Sequence, residues 1–333
     1  MKPVFIADPV NGPFDDPSLY VRILRESRAL LFDAGDIRRL ETGSILKISD
    51  IFITHTHMDH FIGFDSILRA VLRRDEPLRI FGPENIISCV EGKLRGYSWN
   101  LIKEYPVRIE VIEIKTDSVE HAGFYAENSF CRIDGRSGRF DEIILDEPLL
   151  RVKALHVKHE IPVLAYSLEE EFHININKDM LQEMGLPVGP WLSEMKKAIR
   201  LQAPPDTVIE VDGVPRRMEE LAPLTTITRG EKITYVMDVS PDEENIRKII
   251  PFVAGSDVLF CEGYFLSRDA DRAMERSHLT AALAGRIARE ARVGRLELMH
   301  FSPKYRHCAD DLYREAEGEF RGEVTCAAAD TCN

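Results

Sequence analysis

Residues 51–60 read Ile51-Phe52-Ile53-Thr54-His55-Thr56-His57-Met58-Asp59-His60, an apolar run that passes directly into three histidines and an aspartate. Ile51 to Thr54 reads as a buried strand. Four groups able to bind a metal then follow within six residues. Imidazole and carboxylate together suit zinc, iron or manganese. A regular strand would send alternate side chains to opposite faces, whereas a loop at a strand end can gather all four around one point. Chance yields this HxHxDH pattern on the order of once per thousand chains of this length. Solvated or core histidines are therefore the weaker reading.

Upstream, Val21, Ile23 and Leu24 precede Ala29-Leu30-Leu31-Phe32, an apolar run stopped by Asp33-Ala34-Gly35, so the first 35 residues read as strand, turn, strand. Downstream, Ile67, Leu68, Val71 and Leu72 recur at helical spacing, with Arg69, Arg73 and Arg74 on other faces. A strand over 78–81, a Gly82-Pro83 turn and a helix over 84–95 follow. Further strands are expected over 107–114, 149–157, 233–237, 258–261 and 296–299, with a helix over about 279–292. Strands and helices occur in both halves, which suits a layered α/β sandwich better than one doubly wound sheet. Nothing matches GxxxxGK[ST] or GxGxxG, so no nucleotide cofactor is expected.

The chain has 333 residues, 44% of them apolar, with no apolar stretch long enough for a transmembrane helix. The apolar run near Met1 is too short for a signal peptide. Cys89, Cys131, Cys261, Cys308, Cys326 and Cys332 form no CxxC pair and read as reduced thiols of a cytoplasmic protein. Lysine and arginine number 43 against 56 acidic residues, a net charge of −13. A dedicated nucleic-acid binder usually carries a basic surplus. A local basic patch remains compatible with that balance.

HxHxDH after an apolar strand resembles the signature of the metallo-β-lactamase superfamily, which implies a four-layer αββα sandwich with metals at one edge. The resemblance implies a single domain over 1–333, extra sequence at about 115–148 and a possible arm at about 168–205. It also supplies the remaining ligands: His159, Asp238 and His300, each near the end of an apolar run. His55, His57 and His159 would then hold one divalent metal and Asp59, His60 and His300 a second, with Asp238 bridging. His156 competes with His159 for its place. Zinc is the default, with manganese or iron as alternatives. A histidine at position 57 favours hydrolysis over the redox chemistry of flavo-diiron relatives.

Within the superfamily, four segments are similar to ribonuclease Z: 52–60, Phe81-Gly82-Pro83, Gly185 to Trp191, and the pair His278-Leu279-Thr280 with His300-Phe301-Ser302-Pro303-Lys304-Tyr305. Departures are visible as well. Met237-Asp238-Val239 stands where that family has Gly-Asp-Thr, and Cys261-Glu262 lacks a histidine before the glutamate. The glycine-rich N-terminal opening is missing, and Glu169-Glu170-Glu171 opens the arm, whose basic residues are few (Lys196, Lys197, Arg200). The resemblance implies phosphodiester hydrolysis, with precursor tRNA as a possible substrate and a homodimer as the assembly. Asp59 would orient or deprotonate water besides binding metal. His278 would give a proton to the leaving oxygen, with Glu262 holding its tautomer. Asp33 would support the site by hydrogen bonds.

Two other readings stand beside this one: a small-molecule ester, thioester or lactone hydrolase using the same metals, and a metal-holding module without turnover. Arg286, Arg289, Arg292 and Arg295 read as a solvated helix face, Trp99 and Trp191 as packing residues, and 327–333 as a loose tail. His121, His173 and His307 carry no partner motif.

Overall fold

A computed structural model describes residues 4–24, 26–321 and 323–326. The expected tail, Cys332 and the side chain of Cys326 lie outside the described residues.

Eight strands form the first sheet in chain order: Phe5–Pro9, Leu19–Ile23, Ala29–Phe32, Ile48–Phe52, Leu78–Pro83, Arg108–Ile114, Ser118–Tyr125 and Arg132–Arg139. Pairing is antiparallel within the first three and the last three, and parallel from Ala29–Phe32 through Arg108–Ile114. The second sheet has seven strands in the order Glu323–Cys326, Arg295–Met299, Val258–Glu262, Lys232–Val236, Val163–Glu170, Leu150–Val157 and Ile143–Asp146. Its first four run parallel.

Parallel strands buried on both faces read as continuous apolar runs, which is why these were the visible ones in the sequence. Side chains alternate across them. Leu31, Ile51 and Ile53 join the helices Phe64–Val71 and Ile86–Arg95 in one core through Ile67, Leu68, Ile87 and Val90. Phe32 and Phe52 point the other way. Phe81, Phe52 and Phe32 stack at 4.9 and 5.0 Å between centroids. That stack meets Tyr166 and Tyr235 of the second sheet at 5.6 and 5.9 Å. The Tyr166 hydroxyl donates to Ile53 O at 2.6 Å, so the inter-sheet layer leaves that buried phenol satisfied. Helices Glu243–Val253, Ala281–Glu290 and Ala309–Phe320 cover the second sheet through Ile246, Ile287 and Leu312. Helix, sheet, sheet and helix thus follow in layers, the αββα arrangement expected.

The chain divides into two compact units, the larger taking in the chain up to Ile144, Lys153–Ser167 and everything from Lys232. The smaller comprises Leu145–Val152 and Leu168–Glu231 and has its own core of Leu181, Trp191, Met195, Ile209, Val211, Leu221 and Leu224. Helices Lys178–Glu183 and Trp191–Arg200 flank the Gly185–Pro190 segment, which closes where Trp191 Nε1 donates to Pro187 O at 2.9 Å. Buried Glu170 accepts Arg200 Nη2 at 2.7 Å and pairs with His173 Nδ1 at 3.0 Å, so His173 has a structural partner. Residues 172–176 form a strand paired with Thr225–Arg229, and Val208–Val211 with Val214–Arg217 form a hairpin. Residues 115–148 supply the strands Ser118–Tyr125 and Arg132–Arg139 and the edge strand Ile143–Asp146.

Candidate metal centre

Parallel strands bring their C-terminal ends to one edge of a sandwich, where side chains from distant parts of the chain converge. Ile48–Phe52 delivers His55, His57, Asp59 and His60 on a tight loop, with the last two inside the short helix Met58–Phe61. Asp238, Glu262 and His300 lie at or just beyond the ends of Lys232–Val236, Val258–Glu262 and Arg295–Met299. His159 follows Leu150–Val157. Asp33, Asp238 and His300 adopt the left-handed backbone conformation, with φ of 55°, 53° and 54°. Such conformations are uncommon for non-glycine residues, though aspartate and histidine tolerate them best, and here they re-aim each side chain as its strand ends.

The seven side chains selected as metal ligands come together in two sets, and Asp238 also groups with Glu262 and His278. One joins His55, His57, His159 and Asp238, the other Asp59, His60 and His300, with donor atoms in each set within 4.8 Å of one another. Asp238 reaches both: its Oδ2 lies 3.3 Å from His55 Nε2 and 3.6 Å from His60 Nε2, and its Oδ1 3.3 Å from His300 Nε2. Asp59 Oδ2 lies 3.6 Å from both His60 Nε2 and His300 Nε2, and its side chain is 43% exposed. His156 is elsewhere, its ring edge-on to Phe140 at 5.3 Å.

Buried polar atoms are normally hydrogen-bonded. Here His55 Nε2, His60 Nε2, His300 Nε2 and Asp238 Oδ1 are buried without a hydrogen-bond partner, and all face the cluster. Burial, reinforced by neighbouring imidazoles, holds His55 and His300 far below the usual histidine range, and burial lowers His57 and His159 as well. Neutral imidazoles with unshared lone pairs, gathered around buried carboxylate oxygen, suit a divalent metal.

A second layer fixes the orientation. Asp33 takes Thr54 N–H at 2.7 Å on one oxygen and faces His60 Nδ1 at 2.8 Å with the other. A proton on that Nδ1 leaves Nε2 as a bare donor toward the cluster. Burial works against a charged His60, but Asp33 and then Asp238 outweigh it and raise the group to about 10 in the absence of a competing cation. His159 Nδ1 meets Ser277 O at 2.9 Å.

His278 and Glu262 complete the floor. Glu262 Oε1 accepts Val239 N–H at 2.7 Å, and its Oε2 meets His278 Nδ1 at 2.8 Å. Burial opposes the charged imidazole, yet Glu262 raises His278 to about 9. The His278 ring stacks on Tyr264 at 4.0 Å and 8°, and Tyr264 also stands edge-on to His300 at 5.2 Å. The sequence assigns Tyr264 no role. Its place against two site histidines depends on the crossing of separate strand ends, which no local pattern encodes.

No family model matches the chain. In sequence it is 28% identical to ribonuclease Z of Deinococcus radiodurans, covering 87% of this chain and 88% of that one. Identity to ribonuclease Z of Treponema pallidum is 29%, covering 90% and 86%. Among solved structures, the metallo-β-lactamase fold protein YhfI of Bacillus subtilis superposes with a TM-score of 0.54 at 17% identity, covering 96% and 94%. The short form of human tRNase Z gives 0.52 at 19%, covering 97% and 94%. The chain thus has the metallo-β-lactamase fold and is similar to ribonuclease Z over most of its length.

Proposed function

We propose that this chain is a metal-dependent phosphodiesterase that trims RNA 3′ ends, as its similarity to ribonuclease Z suggests. The observation that carries the reading is Asp238 set between two histidine-rich donor groups, with the His278–Glu262 pair beside it. His55, His57 and His159 would hold one divalent metal and Asp59, His60 and His300 the other, with Asp238 shared and zinc the first choice. When bound, such a pair supplies an activated water and offsets charge on the phosphoryl oxygens.

The chain's own groups do the rest. Asp59 is partly exposed, so one carboxylate oxygen can face incoming water and orient it or accept its proton. Glu262 anchors Nδ1 of His278, which leaves Nε2 to give a proton to the departing ribose oxygen. Asp33 keeps His60 in register by holding its far nitrogen. The resemblance further suggests a homodimer in the cytoplasm, and the segment around Gly185–Pro190 as the part that meets RNA.

The test is incubation of the metal-loaded chain with an RNA stem-loop bearing a 3′ tail. A discrete cut near the stem, lost in Asp238→Ala, supports the reading. Intact RNA alongside brisk hydrolysis of neutral p-nitrophenyl esters would instead favour the small-molecule hydrolase, a rival to which the net charge of −13 lends some weight.

A further inference from the structure

A polar cavity of about 650 Å³ adjoins the metal centre, within the range of small-ligand sites. One wall is the loop over residues 11–17, which is tied to the centre at two points. Phe301, next to His300, donates its N–H to Pro13 O at 2.6 Å, and Phe14 packs edge-on against its ring at 5.3 Å. On the other side the loop runs against Gly35: a Cβ there would lie 2.6 Å from Asp59 O and 2.7 Å from Asp16 Cβ. The cavity is therefore attached to the side of the site that carries Asp59 and His300.

Most of its charges are already matched. Asp36 takes Arg38 Nη2 at 2.6 Å and Nε at 2.9 Å, and Asp15 takes Arg39 at 3.4 Å. Arg306 is different. Its guanidinium lies over the Phe14 ring at 5.5 Å, donates only a long hydrogen bond to Phe14 O at 3.5 Å, and forms no ion pair with a carboxylate among the described residues. Asp16, partly buried, forms no ion pair with a lysine or arginine among them; the cation that feels its charge, Arg38, is already held by Asp36.

A carboxylate without an ion pair of its own repels a phosphate backbone, so its presence in a phosphodiesterase cleft calls for a hydrogen-bond donor on the substrate. RNA has one that DNA lacks, the 2′-hydroxyl. We infer that this cavity seats the nucleotide flanking the scissile phosphate, with Arg306 on a phosphate oxygen, the base against the Phe14–Arg306 face, and Asp16 accepting the 2′-hydroxyl. Asp16 thereby makes the site select RNA over DNA. A 2′-deoxy nucleotide would leave the carboxylate desolvated and unpaired, and such a loss discriminates more strongly than a missing apolar contact. The inference rests on the phosphodiesterase reading above.

The test uses the same tailed stem-loop, with each residue around the cut singly 2′-deoxy. One position beside the scissile phosphate should slow cleavage by the wild type about 10- to 100-fold, the range for one hydrogen bond to a charged group. In Asp16→Ala that ribo-to-deoxy ratio should fall to near one. Asp16→Asn, which keeps an acceptor oxygen but no charge, should fall between and serves if the alanine variant does not fold. Arg306→Gln should raise KM about tenfold and leave the ratio unaltered, because the phosphate contact does not sense the sugar. A wild type that cuts the RNA yet ignores every 2′-deoxy substitution overturns the inference and leaves the phosphodiesterase reading standing, as does a ratio unchanged in both Asp16 variants. A wild type that hydrolyses no phosphodiester overturns both.

Discussion

His278 separates two possible duties of a histidine near a metal centre. As a proton donor it matters in proportion to how badly the leaving oxygen needs a proton. His278→Ala should therefore slow RNA cleavage, where a ribose alkoxide departs, by about 10²- to 10⁴-fold. Hydrolysis of bis(p-nitrophenyl) phosphate, whose leaving group departs without help, should fall far less. Equal losses on both substrates, measured as kcat, would mean that His278 merely shapes the site. At this scale the sequence is informative where candidate ligands are contiguous: His55, His57, Asp59 and His60 announce themselves by spacing. His159, Asp238, His300, His278 and Glu262 are legible only through resemblance, because the fold alone brings them together. Asp16 was not legible at all. Its significance lies in Arg306 and Asp59, neither of which is near it in the chain, and in the pairs that consume Asp15 and Asp36.

Among the elements, the turn after the metal-binding loop is tightly specified. Gly63 precedes the helix Phe64–Val71, and a Cβ there would lie 2.1 Å from Gly35 O and 3.0 Å from Ala34 O. Both obstacles are backbone, so neither can swing aside. Gly63→Ala should destabilise the larger unit by about 3 kcal/mol, toward the upper end for overpacking, and lower metal occupancy, because Gly35 also abuts Asp59. Urea unfolding and metal analysis of the purified variant check this; unchanged unfolding would mean that the loop relaxes freely. Strands buried on both faces were easy to read. Arg132–Arg139 was not, since every one of its residues is exposed and no alternation marks it. The hairpin over residues 208–217 was missed too, although Asp212-Gly213, at φ of 52° and 79°, is the turn pair that favours such a connection.

At the scale of the whole molecule, charge and chemistry pull in different directions. The smaller unit carries fourteen acidic and eight basic side chains, a net charge of −6, and the full chain −13. Phosphate contacts are the usual source of RNA affinity. On the proposed function, RNA recognition would lean on the metal centre and on a few local cations such as Arg306, with long-range attraction contributing little. That balance was visible in composition, whereas the compactness of the smaller unit around Trp191 and Leu221 was not, because its core residues are spread over short, polar-looking segments. The account's central claim is the reaction class. Its most direct test is hydrolysis of bis(p-nitrophenyl) phosphate, beside p-nitrophenyl acetate, by protein whose bound metal has been counted. Diester turnover at two metals per chain, abolished in Asp238→Ala, is the result expected. A chain that binds two metals and cleaves the acetate while leaving the diester intact would contradict it.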